Sequence, residues 1–254
     1  MTRYRSFVAL GDSFTEGLND PGEGGAFRGW ADRVAERLAA DEPDFRYANL
    51  AVRGKLIDQI VAEQVPLAAA MAPDLVSLCA GGNDLLRPSG DPDRMAKKLA
   101  GAVRELRAGG ADVLLFTGVD VRDTPLMRRL RGRFATFYLH VRSISDLYGC
   151  HLVDQWSMQG LRDWRAWSED RLHMNADGHR LVAARVLDVL GVKTEESWRR
   201  SWPERSVDPR VRRREDAQWL REYLVPWVTR RLRGRSSGDG LPPKRPDLTP
   251  WQQP

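Results

Sequence analysis

Short apolar runs alternate along this chain with longer stretches in which apolar residues recur every three or four positions. The runs are Phe7–Leu10, Arg46–Leu50, Leu75–Cys79, Val113–Thr117 and His151–Asp154, each the length of a strand covered on both faces. Between them, Trp30–Ala40, Lys55–Gln64, Asp93–Ala108 and Leu126–Tyr148 carry helical periodicity, and Ala176–Leu190 closes the series with Leu181, Val182, Val186 and Val189. Such alternation predicts a parallel sheet with right-handed crossovers. Gly109-Gly110, Gly149 and Gly191 stand where helix ends want a left-handed residue, and Asn175 stands where the last helix wants a cap.

The pattern changes near Glu195. Trp198, Trp202, Trp219, Trp227 and Trp251 are interleaved with arginines, and Pro203, Pro209 and Pro226 punctuate the segment. One helix is expected over Pro209–Leu224, and Gly234–Pro254, rich in Ser, Gly and Pro, reads as an irregular arm. The chain therefore divides into an α/β unit over 1–194 and a partly helical extension over 195–254.

Composition narrows the class. With 254 residues, 42% apolar and 30% charged, one sizeable core is expected. The apolar stretch after the basic N-terminus is too short for a signal-peptide core, and no run approaches the roughly 20 apolar residues of a membrane span; a cytoplasmic protein is expected. Cys79 and Cys150 are the only cysteines, too few for a disulfide framework or a thiolate metal site. The net charge of +5 sits largely in the extension, where an arginine-rich helix is read as a solvated face with packed stems, not as a nucleic-acid surface.

The candidate chemistry lies at the ends of the runs. Ser13 follows the first, in Gly11-Asp12-Ser13-Phe14; Gly54 follows the second; Asn83 follows the third, in Gly81-Gly82-Asn83-Asp84; Asp170 and His173 precede the last helix. All five map to the carboxyl edge of a parallel sheet, where such folds place their sites. A serine hydroxyl needs a base within reach and donors for the oxyanion that forms on carbonyl attack. An imidazole with a carboxylate three residues before it supplies the first, and backbone and side-chain amides the second.

Taken together, Gly11-Asp12-Ser13-Phe14, Asn49-Leu50-Ala51-Val52-Arg53-Gly54, Gly82-Asn83-Asp84 and Asp170-Arg171-Leu172-His173 resemble the blocks of the SGNH hydrolases, also called the GDSL esterase/lipase family. The resemblance covers roughly residues 5–190, with Phe14 where the family name has Leu. It implies a three-layer, flavodoxin-like α/β/α fold with five parallel strands in the order 2-1-3-4-5. It also implies a carboxylic ester hydrolase in which Ser13 attacks, His173 carries the proton and Asp170 orients the imidazole. Ser13 N–H, Gly54 N–H and the Asn83 amide would form the oxyanion hole. The substrate would be a small-molecule or lipid-like ester.

Blander readings stand beside these. Ser13 alone would serve as a helix cap, Asp12 as a turn holder and Asp84 as a structural carboxylate. His179 is an alternative base, Asp163 and Glu169 are alternative acids, and Trp164 and Trp167 are either pocket walls or packing anchors. No cofactor or metal is implied: the nucleotide-binding glycine turns and the Gly-x-Ser-x-Gly elbow are absent from the sequence. A thioesterase, lysophospholipase or carbohydrate deacetylase would use the same residues. A flavodoxin-like binding module with a basic tail is the alternative of another class.

Overall fold

A computed structural model describes residues 4–22, 25–124, 127–203, 209–226, 229 and 236–252. The predicted strands form at β1 (Ser6–Gly11), β2 (Arg46–Asn49), β3 (Leu75–Cys79), β4 (Asp112–Phe116) and β5 (His151–Val153), all parallel to their neighbours. A sixth strand, β6 (Arg245–Pro250), pairs antiparallel with β2, so the sheet order is β5-β4-β3-β1-β2-β6. The expected order 2-1-3-4-5 is there. The five-stranded sheet gains an edge, however, and the Gly234–Pro254 arm is not wholly irregular.

The physical reason for the missed strand is its position. Only Arg245 and Leu248 of β6 are even partly buried, so it lacks an apolar period. Its two prolines, Pro246 and Pro250, lack N–H groups and are tolerated on an edge strand.

Alternate residues of the strands feed two cores. On one face Val8, Leu10, Val76, Leu78, Val113 and Leu115 pack with α3 (Ile57–Gln59), α4 (Val65–Met71), α6 (Pro92–Ala108) and α7 (Arg131–Tyr148). On the other, Phe7, Ala9, Tyr47, Leu114 and Phe116 pack with α2 (Trp30–Ala39) and α8 (Ala176–Val189). Three layers result, as parallel crossovers on both faces require.

Two helices differ from expectation. The second predicted helix does not stop before Pro66 but passes through a π turn, Ile60–Gln64, into α4, with proline in the first turn of the new segment. The wide turn accommodates the missing proline donor. The predicted Leu126–Tyr148 helix opens as a 3-10 turn, Met127–Leu130, before α7, and Leu126 lies outside the described residues. Asn175 caps α8 by accepting from Asp177 N and Gly178 N. The extension forms α9 (Pro209–Trp219), which runs into a second π turn, Leu220–Leu224. Among the described residues no helix is long and apolar enough to cross a membrane. Cys79 and Cys150 are both free thiols, and burial pushes the Cys150 thiol up to about 11.

Candidate active site

β1 delivers the chain into a tight turn and a four-residue helix, α1 (Ser13–Glu16). The cap of that helix is Asp12: its Oδ1 accepts from Phe14 N at 3.1 Å. Ser13 is therefore not needed as a cap, and it stands half-buried on the wall of a cavity of about 230 Å³. The turn is clasped from below by Gln64, whose amide accepts from Gly11 N at 2.8 Å and donates to Gly11 O at 2.9 Å.

The second and third blocks meet the first through polar contacts. Glu16 accepts from Arg53 N at 2.9 Å and forms an ion pair with the Arg53 guanidinium. Asn83, in α5 (Gly82–Leu85), donates from Nδ2 to Asp12 Oδ2 at 3.0 Å and to the Lys55 carbonyl at 3.1 Å. Asp84 accepts from Ile57 N at 3.0 Å and so starts α3, and burial raises its pKa. Gly81 turns the chain at φ +101°, where a Cβ would meet Met95 at 2.8 Å and Phe137 at 2.9 Å; only glycine fits that corner.

Gly54 is placed differently. Its φ of +79° favours glycine, but it is not on the cavity wall: the side chain of Ser236 lies where a Cβ would project. Ser13, Asn83 and His173 share the wall, whereas Gly54 lies next to it in chain, one residue before the carbonyl that Asn83 grips.

The fourth block forms a closed turn. His173 Nδ1 lies 2.7 Å from Asp170 Oδ2. Asp170 Oδ1 accepts from Leu172 N at 2.9 Å, His173 N at 3.0 Å and Ser168 Oγ at 2.7 Å, while Asn19 Nδ2 reaches Oδ2 at 2.8 Å. Burial works against the Asp170 charge, yet the His173 ring bond and the backbone donors outweigh it and hold the carboxyl well below the usual carboxylate range. It stays ionised wherever an imidazole titrates, so no acid limb of an activity profile originates there. Asn19 and Ser168 carry no sequence signal. They stand in loops with common turn residues, and only the fold brings Asn19 to the carboxylate.

Both tryptophans named from the sequence, Trp164 and Trp167, line the cavity, with Phe14, Leu18, Phe116 and Leu161 adding apolar surface. Asp163 is drawn off to Arg165, at 2.7 Å, and Glu169 accepts from Tyr223 at 3.0 Å.

The sequence profile of the GDSL-like lipase/acylhydrolase family matches residues 9–181. The chain belongs to that family. Esterase TesA of Pseudomonas aeruginosa is 32% identical over 111 residues, 44% of this chain. That match spans 53%, about half, of the length of TesA. Solved structures share the fold: a TesA crystal structure at 24% identity covers 73% of this chain and 97% of its own with a TM-score of 0.61. Axe2, an acetylxylan esterase from Geobacillus stearothermophilus, does so at 21% identity over 78% of this chain and 97% of its own, with a TM-score of 0.62.

Within this GDSL-like chain a second imidazole, His179, also lines the cavity. Its Nδ1 accepts from Trp30 N at 3.2 Å, and its ring stacks on Phe14. Burial first, then the Arg33 and Lys244 cations, push its pKa down from 6.5 to about 3. Such a ring is a neutral structural acceptor, not a base. The unfolded chain takes up a proton near pH 6.5 that the folded chain refuses until about 3. This part of the stability is fully present above pH 6.5 and is lost as pH falls through that window. The expected slope reaches about 1.4 kcal/mol per pH unit. Urea unfolding of H179Q between about pH 6 and about pH 4 should show a slope smaller by about one proton than wild type; parallel curves would contradict it.

Proposed function

We propose that this protein hydrolyses carboxylic esters through an acyl-serine intermediate, with Ser13 as nucleophile, His173 as acid–base and Asp170 as the orienting carboxylate. One observation carries the reading: the 2.7 Å bond from Asp170 to His173 Nδ1 in a cavity wall shared with Ser13 and Asn83. With Nδ1 tied to a carboxylate, the proton sits there and Nε2 across the ring is the free base.

Ser13 Oγ attacks the ester carbonyl as its proton passes to His173 Nε2. The tetrahedral intermediate collapses, the C–O bond to the alcohol breaks, and His173 protonates the leaving alkoxide. Water, deprotonated by the same imidazole, then attacks the acyl carbon, releasing the acid and returning the proton to Ser13. Asp170 keeps the tautomer and balances the imidazolium charge.

The oxyanion is assigned to Ser13 N–H, the Asn83 amide and Gly54 N–H. Asn83 Nδ2 spends both of its hydrogens on Asp12 and Lys55, so one of them must turn from its present acceptor to the oxyanion when substrate binds; the Lys55 contact brings the Gly54 segment to the same edge. Each such donor contributes about 3 kcal/mol to transition-state binding. The apolar wall of Phe14, Leu18, Phe116, Leu161 and the two tryptophans suits an acyl chain or other apolar group. TesA, an esterase, and Axe2, an acetylxylan esterase, are consistent with the same chemistry.

A serine-directed organophosphonate should inactivate the enzyme with one covalent adduct per chain, and peptide mapping should find it on Ser13. Labelling of another serine, or none while p-nitrophenyl esters are hydrolysed, would overturn the assignment.

A further inference from the structure

We propose that α9 with its π turn is a brace for the acid–base loop, and that Trp219 is a positioning residue acting through Asp170. The inference rests on the roles of Asp170 and His173 argued above.

Three consecutive residues of the loop are each gripped by this one helical segment. Glu169 accepts from Tyr223 OH at 3.0 Å. The Asp170 carbonyl accepts from Trp219 Nε1 at 2.7 Å. Arg171 meets Asp216 at 2.5 Å, and its guanidinium lies over Trp164 at 5.3 Å and over Trp219 at 5.5 Å. Arg171 also has φ +51°, a left-handed conformation that a non-glycine residue holds only when its surroundings enforce it. The enforcement is visible: a planar cation sandwiched between two indoles and fixed by a carboxylate.

The consequence reaches the imidazole. Beside the side-chain donors Ser168 and Asn19, the two backbone bonds that aim the Asp170 carboxylate at His173, from the N–H groups of Leu172 and His173 to Oδ1, depend on the peptide planes that follow residues 170 and 171. Fixing the Asp170 carbonyl fixes the first of those planes and the Arg171 clamp fixes the second. The loop otherwise runs through exposed or half-buried residues from Ser168 to His173, with little core packing to hold it. The arginine- and tryptophan-rich segment thus acquires a task inside the hydrolase unit instead of a polyanion partner.

The test uses the full chain. In W219F the ring stack remains while the indole N–H is lost, so kcat on a p-nitrophenyl ester should fall about 3- to 10-fold at unchanged KM. Because Trp219 acts through Asp170, the same substitution in a D170A background should have no further effect. The low-field ring-proton resonance of His173 Nδ1, which reports the Asp170 bond without turnover, should broaden or shift in W219F. D216N, at an exposed position, should lower kcat in the same direction, and it carries the test if W219F folds poorly. Wild-type kcat in both variants, an equal loss with and without Asp170, or a loss confined to KM would each overturn the proposal. A displaced resonance in W219F with no ester hydrolysis by wild type would instead sink the functional reading while leaving the brace intact.

Discussion

Replacing Ser13 with Ala is expected to lower kcat/KM for ester hydrolysis by at least about 10⁴-fold, because in the proposed mechanism Ser13 alone carries the acyl group and the remaining donors and binding contacts supply only a residual acceleration. The size of the effect separates the two readings that the Gly-Asp-Ser segment allows. Asp12, not Ser13, caps α1, and the Ser13 carbonyl, which accepts from Gly17 N and Leu18 N, is unaffected by the substitution. The folded state should therefore lose no more than about 0.5 kcal/mol. A cap role predicts the reverse: lost stability with activity kept. Kinetics on a p-nitrophenyl ester together with thermal melts of S13A decide the matter. Activity within tenfold of wild type would remove Ser13 as the nucleophile.

The residues proposed to do the chemistry stand out in the sequence because they lie after a strand or shortly before a helix. Those boundaries are written in local pattern: apolar run, then glycine, then a polar residue. The pairing of Asp170 with His173 was legible for the same reason, being three residues long. What sequence did not show is what holds these groups in place. Asn19 reaches Asp170 across 151 positions, Gln64 clasps Gly11 across 53 and Lys244 reaches Glu16 across 228. No local period encodes such contacts. The sixth strand escaped for a different reason, its two prolines and solvent-facing residues matching an arm as well as an edge. The Trp-rich segment was visible as a change in composition, but its role depends on which loop it touches.

Lys244 shows how far the extension is built into the hydrolase unit, and its replacement by Met is expected to cost about 3 kcal/mol, or roughly 6–12 °C in Tm. Its ammonium donates to Glu16 O at 2.6 Å, Phe27 O at 3.0 Å and Asp32 Oδ2 at 2.5 Å, using all three of its hydrogens. The Lys244 and Asp32 side chains are only 18% and 10% exposed. Methionine keeps the volume of the stem and removes the charge, so Asp32 keeps the Gly29 N–H at 3.0 Å and the Tyr47 hydroxyl but loses its cation. Removing one partner of a buried pair costs more than removing both, because the cost lies in the stranded charge. The double variant D32N/K244M should therefore melt above K244M alone. The lysine also fastens the turn that leads into β6, which covers the outer edge of β2; there Trp251 N donates to Phe45 O at 2.8 Å and the Trp251 ring meets Tyr47 edge-on at 5.6 Å. Loosening that turn uncovers strand edge as well as charge, so K244M should aggregate on heating more readily than wild type. A melting point within about 2 °C of wild type, or a double variant less stable than K244M, would show that the extension is an appendage after all.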